Sequence, residues 1–350
     1  MTQLTAAIAF TPRDEGQSPQ CRGRKGEPKA YTYYRCMLVA YASLRRFNPD
    51  VDLVLVTTEP IPEQFAGEYR RIGVETLLTP FRHCPPEGFS RGWQATPYLL
   101  DALAALRGRG DIVMGDPDQL CVRPLAPLLE LAGDRIGVQT ENIADLGKPG
   151  SDKSREIREI SAEMFRDFGE PMDGWRFYGG YYYSVPERSL PPLLERLERA
   201  WQWSLGRFAE GRSRLWIDEH FMAYALRALP TVELSAHVRN IPTAPWRRYL
   251  TDPEAILRLT MWHLIHEKDL GFQRMYGDAA DPASWFWTAS DDAFRQQAGA
   301  MMSVTRQAPQ RALLNSCGAV VEKLTTEGMQ RRLKPVYTRM VQAYAGMRSV

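Results

Sequence analysis

The sequence predicts an α/β fold: a mainly parallel, doubly wound sheet flanked by helices, followed by a helical C-terminal extension. Three observations predict it. Val51 to Val56 is a near-continuous apolar run, as a parallel strand buried on both faces must be. Strand-like and helix-like runs alternate through residues 4–139, the βαβα order of a parallel sheet. The segment Asp111 to Gln119 ends a short apolar run in two carboxylates, Asp116 and Asp118. In an open α/β sheet, ligands collect outside the carboxyl ends of the strands.

The elements follow in order. Leu4 to Phe10 reads as a first strand. Pro12 to Pro28 is a loop rich in Gly, Pro, Arg and Lys, long enough to serve a function. Tyr31 to Phe47 has helical periodicity and stops at Asn48-Pro49. Pro62 to Arg71 reads as a short helix and Val74 to Leu77 as a short strand. Thr96, followed by Pro97, starts a helix to Leu106. Ile112 to Gly115 delivers the two carboxylates, and Ile136 to Gln139 is a further strand. In the second half Ser151 to Phe168 is a charged helix, and Phe177 to Val185 is aromatic-rich and strand-like. Pro191 to Phe208 and Asp218 to Leu229 are helical. Trp246 to Lys268 mixes aromatic, basic and histidine residues, and Ala293 to Val350 is mostly helical with a basic end (Arg331, Arg332, Lys334, Arg339, Arg348). The expected division is a main domain over 1–290, with halves 1–140 and 141–290, and an extension over 291–350.

Of the 350 residues, 44% are hydrophobic and 25% charged, the balance of a globular chain. The formal net charge of +2 gives no pull toward nucleic acid. No apolar run approaches the roughly 20 residues that span a bilayer, and the first residues lack a basic leader, so the expectation is a cytoplasmic protein. The basic C-terminal helices leave peripheral association with an anionic membrane open. The five cysteines include no closely spaced pair, so neither a zinc knuckle nor a disulfide framework is indicated.

Four stretches carry chemistry. Asp116 and Asp118 suit a hard divalent cation that bridges to substrate phosphates, as in a nucleotide-sugar diphosphate. A second such pair, Asp50 and Asp52, precedes its strand and so sits at the wrong end for a ligand. In Phe177-Tyr178-Gly179-Gly180-Tyr181-Tyr182-Tyr183, two glycines between aromatics suggest a flat surface open to a sugar ring, or else a bulged core strand. Asp218 and Glu219 either complement a helix start or hold a sugar hydroxyl and stabilise an anomeric carbon. His263 is a candidate metal ligand and Lys268 a candidate diphosphate contact.

These stretches, in this order, resemble the retaining glycosyltransferases of the GT-A fold, most closely family 6, the blood-group and α-1,3-galactosyltransferase group. Trp93-Gln94 looks like that family's Arg-Trp-Gln, Asp116-Pro117-Asp118-Gln119 like its Asp-x-Asp-Gln, Tyr178 to Tyr182 like its donor-sugar segment, and Trp216-Ile217-Asp218-Glu219 like its Trp-His-Asp-Glu. The resemblance implies a metal-dependent hexosyltransferase that moves a sugar from a nucleotide donor, uridine diphosphate-linked, to an acceptor hydroxyl with retention. It implies Mn²⁺ or Mg²⁺ on Asp116 and Asp118, and donor contacts from Phe10, Trp93, Gln94, Asp116, Tyr178, Gly179, Gly180 and Lys268. Asp218 would bind donor-sugar hydroxyls, and Glu219 would lie beneath the anomeric carbon. Asp118→Ala is then expected to remove activity with little loss of folding. The chain departs from the pattern at Ile217, at Leu100 and at Tyr183-Ser184. The tail resembles the glycogenin-like family 8, in which His263 would be a third metal ligand. The acceptor would be a glycan, a lipid-linked glycan, a small molecule or a protein. The alternatives are a haloacid-dehalogenase-type phosphohydrolase, with Asp291 and Asp292 as later metal ligands, and a non-catalytic sugar-binding protein on a transferase fold.

Overall fold

The computed structural model describes residues 3–12, 21, 23, 26–90, 92–140, 152–241, 243 and 253–305, with the single positions 313, 333 and 336. Much of the Pro12 to Pro28 loop, Trp246, and the basic residues expected on the tail lie outside the described residues. In chain order the elements are β1 (Leu4–Phe10), α1 (Lys29–Phe47), β2 (Asp52–Thr57), α2 (Glu63–Arg71), β3 (Val74–Leu78), α3 (Tyr98–Ala105), β4 (Asp111–Gly115), β5 (Gln119–Cys121), α4 (Ala126–Ala132), β6 (Ile136–Val138), α5 (Asp152–Asp167), β7 (Tyr182–Val185), α6 (Leu190–Ala209), α7 (Asp218–Ala225), β8 (Thr231–Glu233), β9 (Val238–Asn240), α8 (Pro253–Leu257), β10 (Met261–His263), α9 (Gly271–Ala280), α10 (Trp285–Thr288) and α11 (Asp291–Met301). The described chain forms two compact units that interleave in sequence. One takes residues 3–12, 48–116 and 125–238, the other 26–47, 117–124 and the described part of 239–305.

The first unit is a seven-stranded sheet in the order β3-β2-β1-β4-β7-β6-β8. The fold is mixed α/β with a mostly parallel sheet, as the apolar runs predict: β1 pairs in parallel with β2 and β4, and β2 with β3. Leu53, Val54, Leu55 and Val56 are almost wholly buried, which explains why β2 shows no alternation. The chain runs outward from β1 to β3, then returns to place β4 on the other side of β1. That reversal is a topological switch point, and its two carboxyl ends release Phe10 and Asp116. Asp52 lies at the amino end of β2, where it accepts a hydrogen bond from Gln3 (2.6 Å), away from those ends.

The strand expected over Phe177 to Val185 is confined to Tyr182–Val185 and runs antiparallel to β4, with Tyr182 opposite Gly115. Upstream of it, Gly179 N donates to Gln139 O (2.9 Å) and Gly180 N donates to Glu219 Oε1 (2.9 Å). The backbone donors of the two glycines therefore serve separate partners and do not extend the β7 ladder. Because β7 runs backward, the residues just before it arrive beside the carboxyl end of β4. In the same unit, α6 places Leu190, Leu193, Leu194, Leu197 and Trp201 on one stripe at helical spacing. Trp201 packs against Phe89 and Phe221, with ring centroids at 5.3 and 5.8 Å.

His83, in the loop after β3, is held at both ring nitrogens. Nδ1 lies 2.7 Å from Asp101 Oδ1 on α3 and Nε2 lies 2.8 Å from Glu198 Oε2 on α6. Burial by itself would lower its pKa, but the bonds to the two carboxylates outweigh it and the net shift is upward. A histidine raised above its unfolded value contributes stability that is complete below about pH 6.5 and is lost as pH rises through the folded pKa. We expect the His83 ring resonances to titrate above the ordinary histidine range. We also expect His83→Gln to flatten the fall in unfolding free energy across that window, measured by denaturant titration. An unchanged slope would remove His83 from the account.

In the second unit, α1 is buried along most of its surface. Arg35 pairs with Glu27 (2.8 Å), Cys36 Sγ donates to Lys268 O (3.6 Å), and Ser43 Oγ accepts from Cys121 N (3.0 Å) on β5. The small sheet β5-β10-β9 was not legible as strands in the sequence, because three-residue runs carry no period. Here β5 and β10 pair antiparallel, with His263 opposite Gln119. Ser284 and Ser290 cap α10 and α11, accepting from Phe286 N and Ala293 N. Among the described residues, no helix is long and apolar enough to cross a membrane.

Candidate active site

In the first unit the site begins at the carboxyl end of β4. Asp116 is half-buried there, one residue past Gly115. The first turn of α7 brings Asp218 and Glu219. The N-cap is Ile217, which makes no side-chain cap bond. Asp218 N instead donates to Thr96 Oγ1 (3.3 Å), and Glu219 Oε1 accepts from Gly180 N. Thr96 was expected to start the next helix. Its hydroxyl serves Asp218, and α3 begins at Tyr98.

Burial, then the nearby charge of Asp116, pushes the Asp218 carboxyl up to about 7, against hydrogen bonds from Thr96 and from the backbone of Glu219 and Asp218. Gly180 is needed for close approach and not for its backbone angle. A Cβ there would meet Glu219 Cγ at 2.9 Å and Asp218 Oδ2 at 3.0 Å. Gly179 is closed differently: its missing Cβ would meet Gln139 Oε1 and the Tyr181 ring, each at 2.5 Å. Tyr178 is 4% exposed, packs in the main hydrophobic core, and bonds Thr231 through its hydroxyl. Phe10 is also buried, whereas Trp93 and Gln94 are exposed. Trp93 holds a left-handed backbone (φ 48°), and its carbonyl accepts from Thr96 N (3.1 Å).

In the second unit Asp118 is 1% exposed. Its carbonyl accepts from Leu264 N (3.0 Å), which fixes the end of β10 against the turn before β5. His263 Nε2 lies 3.5 Å from Asp118 Oδ2, and the Lys268 ammonium pairs with the same oxygen. Burial alone would raise the Asp118 pKa. The charge of Lys268, then of His263, overrides burial and holds the carboxyl well below the usual carboxylate range. Lys268 is itself buried, so the ammonium expected at a diphosphate is here on Asp118.

Asp116 and Asp118 are separated in the sequence by Pro117 alone. Asp116, Asp118 and His263 each offer a ligand atom, and these atoms lie within 4.8 Å of one another. That spacing fits one divalent ion, since oxygen and nitrogen ligands bind at about 2.0–2.6 Å and opposite ligands sit at about twice that. Among the described residues this is the one such group. Asp291 and Asp292 belong to none; they pair with Arg46 and Arg295.

No family model matches the sequence, and no curated protein matches it. Solved structures do. The chain is similar to the apo WbbM bifunctional glycosyltransferase, at 10% identity over 75% of this chain and 45% of that one, with a TM-score of 0.47. It is similar to apo mouse xyloside xylosyltransferase 1, at 15% identity over 75% of this chain and 97% of that one, TM-score 0.44. It is also similar to galactosyltransferase LgtC, solved with donor and acceptor sugar analogs, at 13% identity over 87% of this chain and 98% of that one, TM-score 0.46. The chain thus spans less than half the length of WbbM. At these identities and scores the likenesses transfer no residue role, and the reading of the site rests on its own geometry.

Sequence reasoning missed Thr96 and Gln139. A threonine before a proline reads as a helix start, and a glutamine at the end of a strand has no pattern that points to a glycine forty residues on.

Proposed function

We propose that this chain is a metal-dependent glycosyltransferase of the GT-A type. It would move a sugar from a nucleotide-diphosphate donor to an acceptor hydroxyl, with retention at the anomeric carbon. The observation that carries the reading is the meeting of a metal-capable carboxylate with a second acid pair at the switch point: Asp116 lies close enough to Asp218 to raise its pKa, and Gly180 lies against both Asp218 and Glu219. A phosphate site beside a sugar site is what a nucleotide-sugar requires.

Asp116, Asp118 and His263 would hold Mn²⁺ or Mg²⁺, which when bound neutralises charge on the departing diphosphate. Phe10, at the end of β1, would border the nucleobase, with uridine implied by the resemblance. Trp93 and Gln94 would face the donor from the turn that carries Thr96. Gly180, having no side chain, lets its backbone lie against the acid pair, which would hold Asp218 and Glu219 at the donor sugar. Asp218 would bind donor hydroxyls. Glu219, oriented by Gly180 N, would stabilise positive charge on the anomeric carbon or attack it. Gln139, against Gly179, would help hold the two-glycine segment in place.

The test is nucleoside-diphosphate release by the purified protein across a panel of nucleotide sugars, with Mn²⁺ and with EDTA. The expected result is slow release from one donor class that EDTA abolishes, because water replaces the acceptor inefficiently. No metal-dependent release from, or binding of, any nucleotide sugar would reject the reading.

A further inference from the structure

We propose that the Lys268 ammonium is a built-in counter-ion that occupies Asp118 until a divalent cation displaces it. The proposal rests on the metal reading of Asp116, Asp118 and His263 given above, and it adds a competitor to that site. The argument starts from burial. The Asp118 side chain is 2% exposed and that of Lys268 6%, so the carboxylate cannot rely on water for compensation. It needs a cation in place at all times, and in this structure Lys268 supplies it.

The same oxygen, Asp118 Oδ2, is the one nearest His263 Nε2 at 3.5 Å. A metal shared by Asp118 and His263 through Oδ2 would take the oxygen that the ammonium now holds. A divalent ion and an ammonium bonded to one buried oxygen would repel each other strongly at low effective dielectric. One of them has to leave. The geometry lets Lys268 do so without moving its backbone. Its carbonyl is anchored by Gln273 Nε2 (2.8 Å) and Cys36 Sγ (3.6 Å), while the charge rides on a flexible four-carbon stem. Metal binding and withdrawal of the ammonium are then one event, and apparent metal affinity is lowered by the work of breaking the pair.

The experiment measures Mn²⁺ binding to the full chain by electron paramagnetic resonance of free Mn²⁺, without nucleotide, for the wild type, Lys268→Met and Lys268→Arg. Thermal midpoints are measured with Mn²⁺ and with EDTA. Lys268→Met is expected to bind Mn²⁺ at least about tenfold more tightly than the wild type, and Lys268→Arg, which keeps the charge, to stay near wild type. If Lys268→Met is poorly folded in EDTA, Mn²⁺ is expected to raise its thermal midpoint far more than that of the wild type, because the metal takes over the missing cation. Equal Mn²⁺ affinity and equal Mn²⁺ stabilisation in the wild type and Lys268→Met would overturn the competition and leave the metal site standing. Absence of Mn²⁺ binding to all three proteins would remove the metal site, and the competition with it.

Discussion

Replacing Asp118 with alanine is expected to abolish metal-dependent donor turnover and also to cost about 3–5 kcal/mol of stability. The second effect departs from the expectation of a fold-neutral change that the sequence alone supports. A carboxylate in an exposed metal loop can be removed cheaply. Asp118 is 1% exposed and paired with a lysine that is itself buried, so alanine strands the ammonium in a site with little water. Lys268→Met added to Asp118→Ala removes the stranded charge. The double variant should recover most of the lost stability while remaining inactive, which gives a large positive interaction between the two sites. Denaturant unfolding in EDTA makes the measurement, so metal binding does not enter. Additive losses in the double variant would mean that the pair is not what holds Asp118 in place.

The second large effect is on rate. Glu219→Gln is expected to lower kcat by about 10²–10⁴-fold, the scale of an electrostatic or acid–base contribution, with little change in donor affinity. The amide keeps an oxygen to accept from Gly180 N, so the 2.9 Å bond that orients the side chain survives and the fold should be unaffected. On the proposed function, what is lost is a negative charge beneath the anomeric carbon, which becomes positive in the transition state. A loss confined to the transition state lowers kcat and kcat/KM together. Single-turnover kinetics with the donor found in the release assay would separate the two. If KM rises and kcat holds, Glu219 is a binding residue and the chemistry lies elsewhere, with Asp218 the next candidate.

The strands that build the switch point were legible because burial on both faces leaves a signature that needs no partner to be read. Leu4–Phe10 and the apolar core of β2 lie where their sequences predict. The long helices α1, α5 and α6 were legible for a related reason: their lengths give a 3.6-residue period room to repeat. Of the three-residue strands, β6 was legible from its buried run at Ile136–Val138, whereas β5, β8, β9 and β10 were not, and each exists because a partner strand is present. The two-glycine segment misled for the opposite reason. Its aromatic neighbours have high strand propensity, but Gly179 and Gly180 give their backbone donors to Gln139 and Glu219.

By itself the sequence determined the fold class, the end of β4 at which Asp116 emerges, and the presence of an acid pair at the start of a helix, because each is a local pattern of burial, charge and spacing. The tertiary structure decided which of these groups act on one another. It set Asp116 against Asp218, put Gly180 where no side chain fits, and carried Lys268 across 150 positions to Asp118. Those relations depend on β-pairing and on the low dielectric of a packed interior. Neither is a property of a residue and its neighbours in the chain, and so neither is written in their order.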